Sequence, residues 1–149
     1  MTLWVYDPGQ TTGYAKFSLS LFELTGFGEF ELWGILDEQI RRDDIVVYED
    51  IKVLAPSFNP IGLQVIGVIR FLCELRRVEV HAQQPSVIKG VLRWPILRLN
   101  QIKSPHARDA IAHGIYYIKS LQESKSREPF DWGEIKLPEY LVVPQTEIP

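Results

Sequence analysis

Apolar and polar positions divide the chain into segments of two periodicities. Leu3-Trp4-Val5-Tyr6 is an unbroken apolar run, which predicts a strand buried on both faces, and it ends on a carboxylate, Asp7. In the turn from Asp7 to Gly13, Pro8 fixes φ, Gly9 is expected to take backbone angles that other residues avoid, and Gly13 to turn the chain into a second strand, Tyr14 to Phe22. Leu24 to Trp33 alternates with period two and predicts the edge of a three-stranded antiparallel meander. Asp37 to Arg42 suits a short helical turn, and Ile45-Val46-Val47-Tyr48 is a second doubly buried strand ending on Glu49. Asp50 to Pro60 reads as a loop containing Pro56 and Phe58. Helical apolar spacing runs from Ile61 to Arg77, with Pro60 at its start and Gly62 and Gly67 expected to permit close packing on a sheet.

Val78 to Ala82 reads as a third buried strand, Pro85 to Leu92 as a short helix, and Arg93 to Lys103 as irregular and basic. Ser104 suits the N-cap and Pro105 the first position of a last helix reaching about Gln122. This order predicts an α/β fold: a mixed five-stranded sheet, with a three-stranded antiparallel meander plus two parallel strands, and flanking helices.

A chain of 149 residues is one domain by length, with residues 1–122 as its folded part. Residues 123–149, acidic and carrying four prolines, are expected to form a tail lying on the surface or partly disordered. The lone Cys73, among Phe71, Leu72 and Leu75, forms no intrachain disulfide and suits core packing. No basic-then-apolar leader is evident, and no apolar stretch approaches the ~18 residues of a membrane span, so a cytoplasmic protein is expected. The net charge of −3 conceals an asymmetry. Residues 1–69 hold 4 Lys/Arg against 10 Asp/Glu, residues 70–127 hold 11 against 4, and residues 128–149 hold 1 against 5. The basic middle points to a polyanionic partner, although solvated helix faces would have the same composition.

Asp7 and Glu49 end the two most buried strands, and if those strands are parallel neighbours both carboxylates leave the sheet at one edge. In Ser104-Pro105-His106-Ala107-Arg108-Asp109-Ala110, His106 and Asp109 stand three apart on one helix face among small residues. Carboxylates converging in this way suit hard divalent cations, Mg²⁺ or Mn²⁺, with His106 as a ligand or a proton-transfer group. Two such ions about 3.5–4 Å apart serve phosphodiester cleavage. Singly, each residue has a plain structural explanation: a turn Asp, strand-end charge, a first-turn pair favoured by the helix dipole. Their order and placement on element ends together favour a metal site. His81 and His113 are read as structural, and zinc is disfavoured without cysteine pairs.

Asp7-Pro8-Gly9-x-x-Thr12-Gly13, Val46-Val47-Tyr48-Glu49, Pro85-x-x-Ile88-Lys89 and His106-x-x-Asp109-Ala110-x-Ala112 together resemble the successive motifs of RuvC-type Holliday junction resolvases, in the RNase H-like nuclease and integrase superfamily. The resemblance spans residues 3 to about 118 and is similar to phage-type members in its compactness. It implies an RNase H-like fold, two Mg²⁺ ions, and a homodimer that nicks a four-way DNA junction symmetrically. Asp7, Glu49, His106 and Asp109 become the metal-binding catalytic set, Lys89 the basic residue near the scissile phosphate, and the long helix from Ile61 the dimer interface. Backbone contacts to branched DNA are expected from Lys52, Lys89, Arg93, Arg98, Lys103 and Arg108. Cellular members carry an aromatic residue soon after the second acid; here Lys52 stands three after Glu49, and Phe58 is the more distant substitute. Only sixteen residues separate Lys89 from His106, fewer than in cellular members.

Other functions compatible with such a sequence are a nuclease for other branched DNA or RNA–DNA hybrids, a catalytically silent DNA-binding scaffold, and an actin-like nucleotide-binding module. The last needs two such domains, for which the chain is too short. The silent scaffold is disfavoured because a silent site has no use for buried like charges.

Overall fold

Strand β1 (Thr2–Asp7) lies at the centre of the sheet because both its faces are apolar. The computed structural model describes residues 1–52, 60–125 and 135–144. β2 (Thr11–Ser18) returns antiparallel to β1, and β3 (Glu23–Glu31) antiparallel to β2. After the one-turn helix α1 (Leu36–Gln39), β4 (Ile45–Glu49) pairs parallel with β1 on its other side. Helix α2 (Pro60–Arg76) crosses to β5 (Glu79–Gln83), parallel to β4, giving the order β3-β2-β1-β4-β5. A 3₁₀ turn, Pro85–Ile88, leads into α3 (Lys89–Leu92), and α4 (Pro105–Lys125) closes the fold. This is the mixed five-stranded sheet with flanking helices that the hydrophobic pattern predicts. Among the described residues, no helix is long and apolar enough to cross a membrane.

Alternation along β1 and β4 sorts the core into two layers. Leu3, Val5, Ile45 and Val47 pack with Ile111, Ile115 and Ile118 of α4 on one face. Trp4, Tyr6, Val46 and Tyr48 pack with Val65, Ile69, Leu72 and Cys73 of α2 on the other. Burial raises the Cys73 thiol to about 11, the behaviour of a packing residue.

Four local expectations are corrected. β5 is a largely exposed edge strand: among the described residues no strand pairs with its outer side. No glycine has a positive φ among the described residues, so Gly9 and Gly13 are not used for left-handed turns. The turn is closed by Thr12, whose Oγ1 donates to the Gly9 carbonyl at 3.2 Å and accepts from the Gly9 amide at 3.3 Å. Gly13 instead lies inside β2, where a Cβ would stand 2.0 Å from the His106 carbonyl carbon. Gly62 does permit close packing, against Ile51 and the Pro8-Gly9 turn, whereas Gly67 meets nothing within 4 Å.

The fourth correction concerns the C-terminal stretch. Residues 135–144 are not a loose surface tail: Ile135 and Leu141 are buried in the α4-side core. Lys136 bridges in parallel to Glu23, and Val142 bridges to Leu97. The Arg98 amide donates to the Leu141 carbonyl at 2.7 Å. The acidic, proline-rich composition averages over these spaced aliphatic anchors and hides them.

Candidate active site

The parallel register of β1 and β4 aligns Tyr6 with Tyr48, so the next residues, Asp7 and Glu49, leave the sheet side by side. By alternation both carboxylates lie on the α4 face, in step with Leu3 and Val5 and with Ile45 and Val47. α4 approaches closely because Gly13 offers no side chain under His106 and Gly114 none under Phe17. The helix begins as its sequence predicts: Ser104 Oγ accepts from the Ala107 amide at 3.1 Å as N-cap, and Pro105 is the first helical residue.

His106 Nδ1 then sits 3.2 Å from Asp7 Oδ2. Asp109, one turn on, lies within electrostatic reach of Asp7 and takes Arg108 Nε at 3.0 Å and Nη2 at 2.9 Å on Oδ1. Asp7 is buried, and its carboxyl is raised to about 9. Burial is the largest cause, followed by hydrogen bonding to Glu49 and the charges of Glu49 and Asp109, with Arg108 opposing. Burial also acts to raise Glu49, but the hydrogen bonds from His113 and Asp7 and the nearby imidazoles outweigh it and hold Glu49 below its ordinary value. Burial and the adjacent charges thus favour a proton shared by the Asp7–Glu49 pair, where two adjacent anions would otherwise repel.

His113, read from sequence as structural, belongs to this site. It is fully buried two turns after His106, with Nε2 3.2 Å from Glu49 Oε1 and Nδ1 2.6 Å from Gln83 Oε1. The Glu49 carboxylate can only accept, so Nε2–H donates to it, and the Gln83 amide turns its NH₂ to Nδ1. Gln83 is in turn paired with Glu49 across β4 and β5. The signal in the sequence is the i, i+3, i+7 series His106, Asp109, His113 on one helix face. What sequence could not supply is the acceptor, which lies 64 residues away. His81 is outside the site, exposed and 3.5 Å from Glu79.

Among the remaining predicted residues, Lys89 is exposed at the start of α3, on the sheet edge reached by β5. Among the described residues, no hydrogen bond or ion pair joins it to the carboxylates. Lys52, Arg93 and Lys103 are exposed, and Arg98 is half-buried. Arg108 is tied to Asp109. Phe58 lies outside the described residues.

Among the described residues, no three His, Cys, Asp or Glu side chains stand as a closed metal site. Each donor is bonded instead to a neighbour: Asp7 to His106, Glu49 to His113, Asp109 to Arg108. The donor set nevertheless fits a hard divalent cation, since it offers three carboxylates and an imidazole, and a buried carboxylate keeps a proton where a cation would relieve the repulsion.

No family model matches the sequence, and no curated protein matches it. Solved structures do match in fold. Thermus thermophilus RuvC in complex with a Holliday junction substrate superimposes with a TM-score of 0.61 at 13% identity, covering 83% of this chain and 97% of that one. A second Thermus thermophilus RuvC structure matches with a TM-score of 0.59 at 12% identity and the same coverage. The chain has a RuvC-like, RNase H-like α/β fold.

Proposed function

We propose that the protein is a divalent-metal-dependent endonuclease for branched DNA, with the four-way junction as its leading substrate. The observation that carries this reading is the meeting of Asp7 and Glu49 with His106 and Asp109 at one sheet edge. It is supported by a fold shared with a RuvC bound to a Holliday junction. Asp7, Glu49, His106 and Asp109 would hold the ions, two Mg²⁺ in the first place, with Mn²⁺ able to substitute. Such ions supply an activated water and stabilise the leaving oxygen. A cation held there would displace the proton that Asp7 and Glu49 share, and His113 keeps the Glu49 carboxylate oriented through Nε2–H. His106, half exposed, holds Asp7 through Nδ1 and can ligate or move a proton. Lys52, Lys89, Arg93 and Lys103, all exposed, suit phosphate contacts that weaken with salt.

Paired nicks require two active sites, and α2 offers the face for a homodimer. Phe71 and Leu75, one turn apart, are 61% and 66% exposed, and Gly67 on the same face leaves open space. Phe71→Glu combined with Leu75→Glu is expected to give a monomer by light scattering.

The decisive experiment is cleavage of a synthetic four-way junction beside linear duplex, flap and RNA–DNA hybrid, with Mg²⁺ or EDTA, by wild type and Asp7→Asn. Metal-dependent paired nicks in the junction, lost in the variant while binding persists, are expected. Equal cutting of flaps or hybrids would broaden the substrate. Binding without cutting would favour a silent scaffold.

A further inference from the structure

A cavity of about 580 Å³ opens between β3 and the start of α4, lined by Phe27 and Glu29 of β3, Ile102, Lys103 and Ser104 before α4, and Tyr140 of the docked C-terminal segment. Its size is that of a small-molecule pocket. We propose that it receives one unstacked base of the strand being cut, and that it prefers a base with an exocyclic amino group, cytosine foremost. This rests on the nuclease reading above.

The cavity is within one nucleotide's reach of the carboxylates. Asp7 pairs with Gly13, and Gly13 pairs with Glu29. Residues opposite one another share a face, so Glu29 lies on the α4 side two strand spacings, about 10 Å, from Asp7. Ser104 precedes His106 by two residues. A phosphate at the carboxylates thus places a neighbouring nucleotide at the mouth of the cavity.

The lining fits a base. Phe27 is half-buried against the core, and Tyr140 is 54% exposed at the rim. Aromatic faces hold single-stranded bases by stacking, without regard to sequence. Selectivity comes from Glu29. Its Oε2 accepts the Ser104 hydroxyl at 2.5 Å, which fixes the carboxylate, while Oε1 is not used in that bond. A fixed carboxylate accepts from the N4 amino group of cytosine and repels the O4 carbonyl of thymine. Lys103, exposed at the same rim, suits the phosphate of that nucleotide. The docked C-terminal segment thereby contributes to the site, since the burial of Leu141 anchors the turn that presents Tyr140.

The test uses the full chain and junctions that carry each of the four bases at every position within two nucleotides of the cut. Wild type is expected to cut best with cytosine at one position, about tenfold faster than with thymine. Glu29→Gln, which keeps an acceptor for Ser104 but adds a donor that can meet thymine O4, is expected to bring the cytosine-to-thymine rate ratio down to about one. Tyr140→Ala is expected to slow cutting of all four. In Asp7→Asn, which binds without cutting, 2-aminopurine at the same position is expected to brighten on binding, and Tyr140→Ala added to it to reduce the effect. Base-independent cutting, or a preference that survives both Glu29→Gln and Tyr140→Ala, overturns the pocket. Junction bound with no change in 2-aminopurine also overturns it, and leaves the nuclease reading standing. Failure to bind or cut any junction overturns both.

Discussion

The two long helices cover opposite faces of one sheet and differ in what they bring to it. α4 presents His106, Asp109 and His113 to the sheet among small and aliphatic residues. α2 presents mainly Val65, Ile66, Ile69, Leu72 and Cys73, and keeps Phe71 and Leu75 on the outside. The difference originates in the strands. On the α4 face the last residues of β1 and β4 are Asp7 and Glu49; on the α2 face they are Tyr6 and Tyr48. Polar groups are tolerated under α4 because each one meets a partner there, whereas α2 covers a face that offers almost none. Two tyrosine hydroxyls are exceptions: that of Tyr6 donates to Gln39 Oε1 at 3.0 Å, and that of Tyr48 pairs with Arg70 of α2.

The two helices also differ in how glycines meet them, and this gives the largest expected effect. Gly13→Ala drives a Cβ into the α4 backbone, which cannot rotate away as a side chain would. A loss of about 3 kcal/mol, or a Tm lower by roughly 6–12 °C, is expected, with the carboxylates displaced from His106. An unchanged Tm would show that α4 is not held as closely as described.

Next comes His113→Ala, which leaves Glu49 without its buried donor. Mg²⁺ affinity measured by calorimetry is expected to weaken about tenfold, with a stability loss of about 2–3 kcal/mol. His113→Ala with full Mg²⁺ affinity would reduce the residue to core packing.

The proton on Asp7 gives a smaller, pH-dependent effect. Its folded value of about 9 lies above the ordinary 3.8, so the folded protein binds the extra proton between these limits. Metal-free stability is therefore full below the lower limit and falls as pH rises towards 9. Glu49, held below 4.5, acts in the opposite sense but only at the acid end. In EDTA, the wild-type Tm is expected to drop between pH 5 and pH 9. Asp7→Asn should flatten that slope and stand at a higher Tm than the wild type at the alkaline end. Mg²⁺ should restore the wild type there. A flat wild-type profile would remove the case for a strained carboxylate pair.

The smallest effect is on α2. Gly67→Ala meets open space and removes unfolded-state entropy, so a gain of about 0.5–1 kcal/mol is expected by denaturant titration. A loss of dimer on the same substitution would place Gly67 inside the interface.

Much of the fold and the site is legible from residues alone. Unbroken apolar runs ending on Asp7 and Glu49 mark the central strands, and Ser104-Pro105 marks the start of α4, because these signals are local. Helical spacing puts His106 and Asp109 on one face. β5 reads as buried yet is exposed, since an apolar-looking run does not reveal whether a further strand flanks it. Residues 135–144 read as a loose tail yet are docked, since burial of Leu141 depends on where Leu97 and Arg98 come to lie.

Periodicity, caps and the carboxylates that stop two strands mark, residue by residue, which side chains could do chemistry and at which element ends they stand. What each one meets comes from the packing of distant segments. Parallel pairing of β1 with β4 set Asp7 against Glu49, and the absent Cβ of Gly13 let α4 bring His106 to Asp7. The same docking turned His113 from a core histidine into the partner of Glu49, and made Tyr140 a wall of the cavity. These contacts join residues far apart in the chain, and their energies depend on distance and burial, which no local pattern encodes.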